Sequence, residues 1–175
     1  TVQTETDEQA MDRIAGRFAV LDEMSKACIN GAIRSMIVTG PPGVGKSFGV
    51  EEVLAKDDMF DILGQRKPKY EIVKGAMSAI GLYSKLYEFA DKGNVVVFDD
   101  CDSLFFDDTC LNLLKAALDT SAKRWINWNT DSRLLRREGI PDRGELKGAS
   151  IVSSNIKGNH GKRKKRREHR AALEA

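Results

Sequence analysis

Between Ala10 and Ile29 the apolar residues Met11, Ile14, Ala15, Phe18, Leu21 and Met24 recur at three- and four-residue spacing. That period predicts an amphipathic packing helix over 10–30, ended by Asn30-Gly31. Met36-Ile37-Val38-Thr39 then reads as a short buried strand and Ser47–Leu54 as a helix, whereas Asp57 to Lys69, with Gly64 and Pro68, is polar and reads mostly as loop. Tyr70–Val73 predicts a second strand, and Ala79–Asp91 a helix whose broad apolar face carries Ile80, Leu82, Tyr83, Leu86, Tyr87 and Phe89. Val95-Val96-Val97-Phe98 is a run suited to a strand buried on both faces. Thr109–Ser121 predicts a helix with Leu111, Leu114, Ala117 and Leu118 inward and Asp107 or Asp108 as its N-cap. Arg124–Asn129 alternates in the strand manner, Asp131–Gly148 reads as an extended loop or hairpin, and Ala149–Asn155 is a β-branched strand ending in an amide.

Length and composition narrow the class. A chain of 175 residues with 41% hydrophobic content fits one domain with appendages. No apolar run approaches the about 18 residues of a membrane span, so the expectation is a soluble, cytoplasmic protein. Cys28, Cys101 and Cys110 are odd in number and lack paired spacing, which indicates neither a disulfide framework nor a zinc site. The formal net charge is +2, but it is unevenly spread. Residues 1–9 form a loose acidic arm with Glu5, Asp7 and Glu8, and 157–175 is a basic segment containing Lys162-Arg163-Lys164-Lys165-Arg166-Arg167. With Leu173 its only large aliphatic residue, the segment is either a solvated tail or an attractor of nucleic acid.

The strongest chemical signal is Gly40-Pro41-Pro42-Gly43-Val44-Gly45-Lys46-Ser47, which fits G-x-x-x-x-G-K-[ST] at every fixed position between a predicted strand and a predicted helix. Glycines let backbone N–H groups close around a polyphosphate, and the helix starting there directs its positive end at the same anion. Lys46 would reach the β- and γ-phosphates and the Ser47 hydroxyl would bind Mg²⁺. Val95–Phe98 delivers Asp99 and Asp100 to a strand's carboxyl end, the edge where open α/β sheets bind ligands. There Asp99 would hold Mg²⁺ and Asp100 would orient or deprotonate an attacking water. Asn155 would position that water or the γ-phosphate, with donor and acceptor on one neutral group. Asp102, Asp107 and Asp108 read as caps and solvated surface. Trp125 and Trp128, flanked by Lys123, Arg124 and Arg133, are either core and rim of a sheet or a nucleic-acid contact surface.

These three anchors together resemble the nucleotide-binding core of AAA+ ATPases. Residues 40–47 resemble the Walker A motif, 95–100 the Walker B motif and 151–155 the sensor 1 strand, all within a core over 10–156. The resemblance implies a three-layer αβα sandwich, a phosphate-loop NTPase fold with a doubly wound parallel sheet of order 5-1-4-3-2. It also implies ATP and Mg²⁺ bound along Gly40–Ser47 and Phe48, hydrolysis at subunit interfaces and a homo-oligomeric ring. Lys74–Ser78 stands where the family has a pore loop, with Met77 as apolar tip. Arg166, Arg167 and Arg170 fall where an arginine finger is expected. Asp100 stands where relatives usually carry glutamate, and no helical lid or fifth strand is recognisable after sensor 1.

The anchors are similar also to superfamily 3 viral helicases, in which a hairpin before the asparagine strand contacts DNA; Trp125–Lys147 stands at that place. The expected activity is Mg²⁺-dependent ATP hydrolysis driving a ring that remodels or translocates a polymer, nucleic acid favoured. The alternatives are a helicase of the viral type and an ATP-binding switch or adaptor with negligible turnover. No N-K-x-D guanine signature is present, which favours ATP over GTP.

Overall fold

The computed structural model describes residues 5–64 and 66–155, without the side chains of 60–62. The basic segment and the arginine-finger candidates Arg166, Arg167 and Arg170 lie outside the described residues, as do residues 1–4 of the acidic arm. The chain is α/β, a parallel sheet of four strands flanked by helices, with an added antiparallel hairpin. In chain order the elements are α1 (Asp7–Ile29), β1 (Ser35–Thr39), α2 (Lys46–Leu63), β2 (Tyr70–Lys74), α3 (Ala79–Glu88), β3 (Val95–Asp99), α4 (Asp108–Ala117), β4 (Arg124–Asn127), α5 (Arg133–Arg137), β5 (Arg143–Leu146) and β6 (Ala149–Ser154).

The main sheet runs β1-β6-β3-β2. Register pairs Val95 with Ala149 and Tyr70, while Asp99 stands beside Ser153 and Lys74, so the carboxyl ends of β2, β3 and β6 finish level. All five residues of β3 and all six of β6 are buried, as central parallel strands covered on both faces require. Alternation along β3 sends Val96 and Phe98 to one core with α3 and α4, and Val95 and Val97 to another with α1 and α2. β1 has a single neighbour among the described strands, and Ile37 on it is exposed.

Several expectations are corrected. Asp7–Gln9 belong to α1 rather than to an arm, because Thr6 and Gln9 close a capping box. The apolar stripe of α1 packs only in part: Met11, Ile14, Phe18 and Met24 are exposed, while Cys28, with Leu21 and Ile29 beside it, joins the core shared with α2. The stretch after Asp57 is helix up to Leu63, not loop. Its polarity misleads because Asp58 turns inward and its carboxylate accepts the Lys69 backbone N–H at 3.3 Å. α3 and α4 end earlier than the apolar pattern suggests, and Asp107 caps α4 by accepting the Cys110 N–H at 2.8 Å.

Arg124 ties the sheet to its surroundings. Only 1% exposed, it donates to the carbonyls of Arg34 at 3.0 Å, Ala117 at 2.6 Å and Gly148. Those carbonyls sit at the start of β1, the end of α4 and the start of β6, so one side chain fixes three elements. Burial lowers the pKa of its guanidinium, with Arg34 adding to the same direction. Gly148 has no room for a side chain, since a Cβ there would lie 2.3 Å from the Phe89 carbonyl oxygen.

Candidate functional site

The segment joining β1 to α2 is the glycine loop. Gly43 and Gly45 adopt φ of +76° and +82°, a region that side-chain-bearing residues rarely enter. The loop is anchored at its start by Gly40 N–H donating to the Ser154 carbonyl at 3.3 Å, which binds it to the end of β6. Behind it, α1 lies close: a Cβ on Gly45 would meet the Phe18 ring at 3.4 Å, and one on Gly49 would meet Leu21 at 3.1 Å. α2 has no acidic residue in its first turn, so nothing there offsets the partial positive charge of its amino end.

Three side chains of this edge form a chain of hydrogen bonds. The Lys46 ammonium donates to the carbonyls of Gly40 at 3.0 Å and Pro41 at 2.8 Å, and to Asn155 Oδ1 at 3.0 Å. Asn155 in turn donates from Nδ2 to Asp100 Oδ1 at 3.1 Å. All three acceptors of Lys46 are neutral oxygens, which an incoming phosphate would outcompete, because charge-assisted hydrogen bonds are the stronger. Asp100 holds the backbone at φ +54°, the one described non-glycine residue with positive φ, a local strain of about 1 kcal/mol. The level strand ends and this turn set its carboxylate against Asn155.

Beside this chain the Ser47 hydroxyl donates to Asp99 Oδ1. Asp99 is 7% exposed, and the Lys74 ammonium approaches its other oxygen at 3.9 Å. A hydroxyl and a carboxylate are hard oxygen donors of the kind Mg²⁺ takes, one or two from protein and the rest from phosphate and water. No group of three or more His, Cys, Asp or Glu suited to a metal occurs among the described residues. The donor set therefore fits an ion arriving with a polyphosphate, not a dedicated metal cage.

Sequence reasoning missed the roles of two residues here, Lys74 and Asp102. Lys74 ends β2 directly opposite Asp99 in the register, a placement that strand alignment would have suggested. Asp102 is not mere surface: it accepts the Ser154 hydroxyl at 2.7 Å and so braces β6 just before Asn155. Phe18 and Leu21, on the helix expected to pack beside the nucleotide, back the loop. Cys101 is buried against the Val73 and Asp99 carbonyls, and burial pushes its thiol up to about 11, keeping it neutral and unreactive.

Other nominated residues lie apart from this edge. Met77 packs, partly buried, on the α3–α4 core instead of forming an apolar tip. Arg124 is buried and bound to carbonyls, so it does not belong to a phosphate-contacting surface. Trp128 tilts against Tyr83 with centroids 5.7 Å apart, whereas Trp125 is 39% exposed and carries the Arg143 guanidinium 4.3 Å above its ring.

No protein-family model matches the chain, and no solved structure matches it. It is 37% identical over 152 residues to an uncharacterized 36.7 kDa protein of the nrdC–mobD intergenic region of Enterobacteria phage T4. The match takes in 87% of this chain and 45% of that protein, so the chain spans less than half the length of this relative. Among the described residues no helix is long and apolar enough to cross a membrane.

Proposed function

We propose that the chain is the nucleotide-binding core of a Mg²⁺-dependent ATPase of the AAA+ type. The observation that carries this reading is the convergence of Lys46, Ser47, Asp99, Asp100 and Asn155 at one edge of a parallel sheet, linked by direct hydrogen bonds. The strand order supports it too. If β6 counts as the fourth parallel strand, β1-β6-β3-β2 reads as 1-4-3-2 of the order that the family resemblance implies, placing the asparagine strand between the glycine loop and the acidic strand.

In this reading the polyphosphate enters the glycine loop, where amides around Gly43 and Gly45 and the amino end of α2 meet its oxygens. Lys46 exchanges its carbonyl partners for phosphate oxygens and neutralises charge that grows as the terminal phosphate leaves. Ser47 and Asp99 hold Mg²⁺, which when bound supplies further charge neutralisation. Release of Asn155 Oδ1 by Lys46 frees that oxygen to accept a hydrogen bond from the attacking water, and Asp100, the neighbouring carboxylate, accepts that water's proton. The reading places the protein in the cytoplasm, in a ring that acts on a polymer.

Two substitutions test it. Lys46→Ala is expected to abolish ATP binding, and Asp100→Asn to leave binding within about threefold while lowering turnover by about a hundredfold or more, the scale of a lost general base. Wild-type turnover in Asp100→Asn would remove the role given to that residue. One observation favours a second reading, an ATP-binding switch: Asp100 is one carbon shorter than glutamate and is already engaged by Asn155. Tight ATP binding with no turnover in the wild-type chain would select the switch.

A further inference from the structure

We propose that Lys74 controls access to the metal position. Its ammonium is the resident counter-ion of Asp99, so Asp99 takes a divalent cation only together with a polyphosphate and refuses the free ion. The inference rests on the reading that Ser47 and Asp99 hold Mg²⁺, and it adds a residue that none of the three sequence anchors contains.

The sheet dictates where Lys74 stands. Register sets Lys74 of β2 beside Asp99 of β3, one step beyond the pair Val73–Phe98 and two beyond Ile72–Val97. Ile72 and Val97 pack in the core shared with α1 and α2, whereas Val73 and Phe98 pack in the α3–α4 core. Alternation therefore turns Lys74 and Asp99 to the α2 face, where Ser47 lies in that helix's first turn. The backbone on either side is held. Cys101 Sγ lies 3.5 Å from the Val73 carbonyl oxygen and 3.3 Å from that of Asp99, and Gly75, at φ +83°, turns the chain away directly after Lys74. Beyond that turn Ser78 caps α3 by accepting the Gly81 N–H at 3.2 Å. The Lys74 side chain, by contrast, is 60% exposed on a flexible four-carbon stem and can leave Asp99 without disturbing the sheet.

Charge gives the ammonium its task. Three carboxylates, Asp99, Asp100 and Asp102, stand within four residues at the carboxyl end of β3. Each is met by a donor: Asn155 on Asp100 at 3.1 Å, Ser154 on Asp102 at 2.7 Å, and Ser47 together with Lys74 on Asp99. Of these donors Lys74 alone is positively charged. Lys46, the other cation of this edge, gives its ammonium to neutral oxygens of Gly40, Pro41 and Asn155. Asp99 is also the buried one of the three, and a buried carboxylate without a cation is costly. A free dication reaching Asp99 meets the Lys74 ammonium beside it, and like charges repel most where water is scarce. A polyphosphate reverses that balance, because its anionic oxygens neutralise the metal and offer the displaced ammonium a charged partner. Lys74 thereby makes metal binding at Asp99 conditional on a ligand in the glycine loop.

Mn²⁺ takes the same oxygen ligands as Mg²⁺, and the loss of its free-ion paramagnetic resonance signal reads binding without any turnover. The whole chain is titrated as wild type, as Lys74→Met, as Lys74→Arg and as the Lys74→Met, Asp99→Asn double variant. Each receives Mn²⁺ alone, then Mn²⁺ with the non-hydrolysable analogue β,γ-imido-ATP. The wild type and Lys74→Arg are expected to bind the free ion weakly and to bind it tightly once the analogue is present. Lys74→Met, at an exposed position, should take up free Mn²⁺ about tenfold or more tightly than the wild type, and the gain should disappear when Asp99→Asn is added. Equal free-ion affinities in the wild type and Lys74→Met, a gain that survives Asp99→Asn, or Lys74→Arg behaving as Lys74→Met would overturn the proposal. The two levels of failure are distinct. A wild-type chain that binds no Mn²⁺ even with the analogue would remove the metal reading of Ser47 and Asp99, and this inference with it. Analogue-dependent Mn²⁺ binding in the wild type with no gain in Lys74→Met would remove only the role of Lys74.

Discussion

The two faces of the central sheet are held in different ways. On one, α3 and α4 bury Leu82, Tyr83, Leu86, Leu114 and Ala117 almost completely. On the other, α1 buries only Ser25 and Cys28 and leaves Met11, Ile14, Phe18, Val20 and Met24 exposed. The glycine loop belongs to the second face, backed by Phe18 and Leu21. Regions with few buried apolar contacts open at the lowest free energy, and moving elements are drawn from them. The sheet, its α3–α4 layer and α2, which buries Val50 and Leu54, thus form the firmly packed part, and the loop with α1 is the part held least tightly.

Substitutions can weaken either face. The largest effect is expected from Arg124→Met, which strips donors from three buried carbonyls while retaining much of the side-chain volume. Removing an uncompensated buried charge offsets part of this, so the expected net loss is about 3 kcal/mol, measured by urea unfolding. A loss under about 0.5 kcal/mol would show that the carbonyls find other donors and that the firmly packed part is less dependent on this residue than argued.

Phe18→Ala should cost far less stability, about 1 kcal/mol, since the ring is 39% exposed. Yet it should weaken nucleotide binding several-fold, because the Gly45 turn loses its backing, and Phe18→Leu should restore most of the affinity. An unchanged affinity in Phe18→Ala would mean that α1 merely lies beside the loop.

The smallest effect, and the sharpest for the comparison, concerns the cysteines. Burial pushes Cys28, Cys101 and Cys110 each up to about 11 from an ordinary 9.0. A thiol whose folded pKa is raised favours the folded state while protonated. This contribution is full below about pH 9 and is lost as pH climbs through about 11. At pH 8 the thiols should therefore react with a disulfide reagent only through opening, Cys28 on α1 ahead of Cys101 and Cys110. Simultaneous labelling of all three would mean that the two faces open together.

What was legible in the sequence follows the same division. The placement of the glycine loop between β1 and α2, and of Asp99, Asp100 and Asn155 at strand ends, could be read because a fixed glycine spacing and β-branched runs mark strand-to-loop junctions locally. Packing demands only apolar volume, so the α1 stripe looked like a buried face although tertiary context leaves much of it exposed. Arg124 between Lys123 and Trp125 had the look of a surface cation, and Asp58 that of a loop residue. Each is buried because backbone groups far along the chain meet it, carbonyls of Arg34, Ala117 and Gly148 in one case and the Lys69 N–H in the other. No local pattern encodes partners so distant. The positive φ of Asp100 was equally hidden, since it arises from the turn that brings the carboxylate to Asn155.

The central claim is that this edge of the sheet turns over ATP, and phosphate release by the wild-type chain as protein concentration rises tests it most directly. Magnesium-dependent turnover per chain that increases with concentration and vanishes in Lys46→Ala is the expected result, as for an enzyme completed by neighbouring copies. Phosphate release at background level across the whole range, with ATP demonstrably bound, would contradict it.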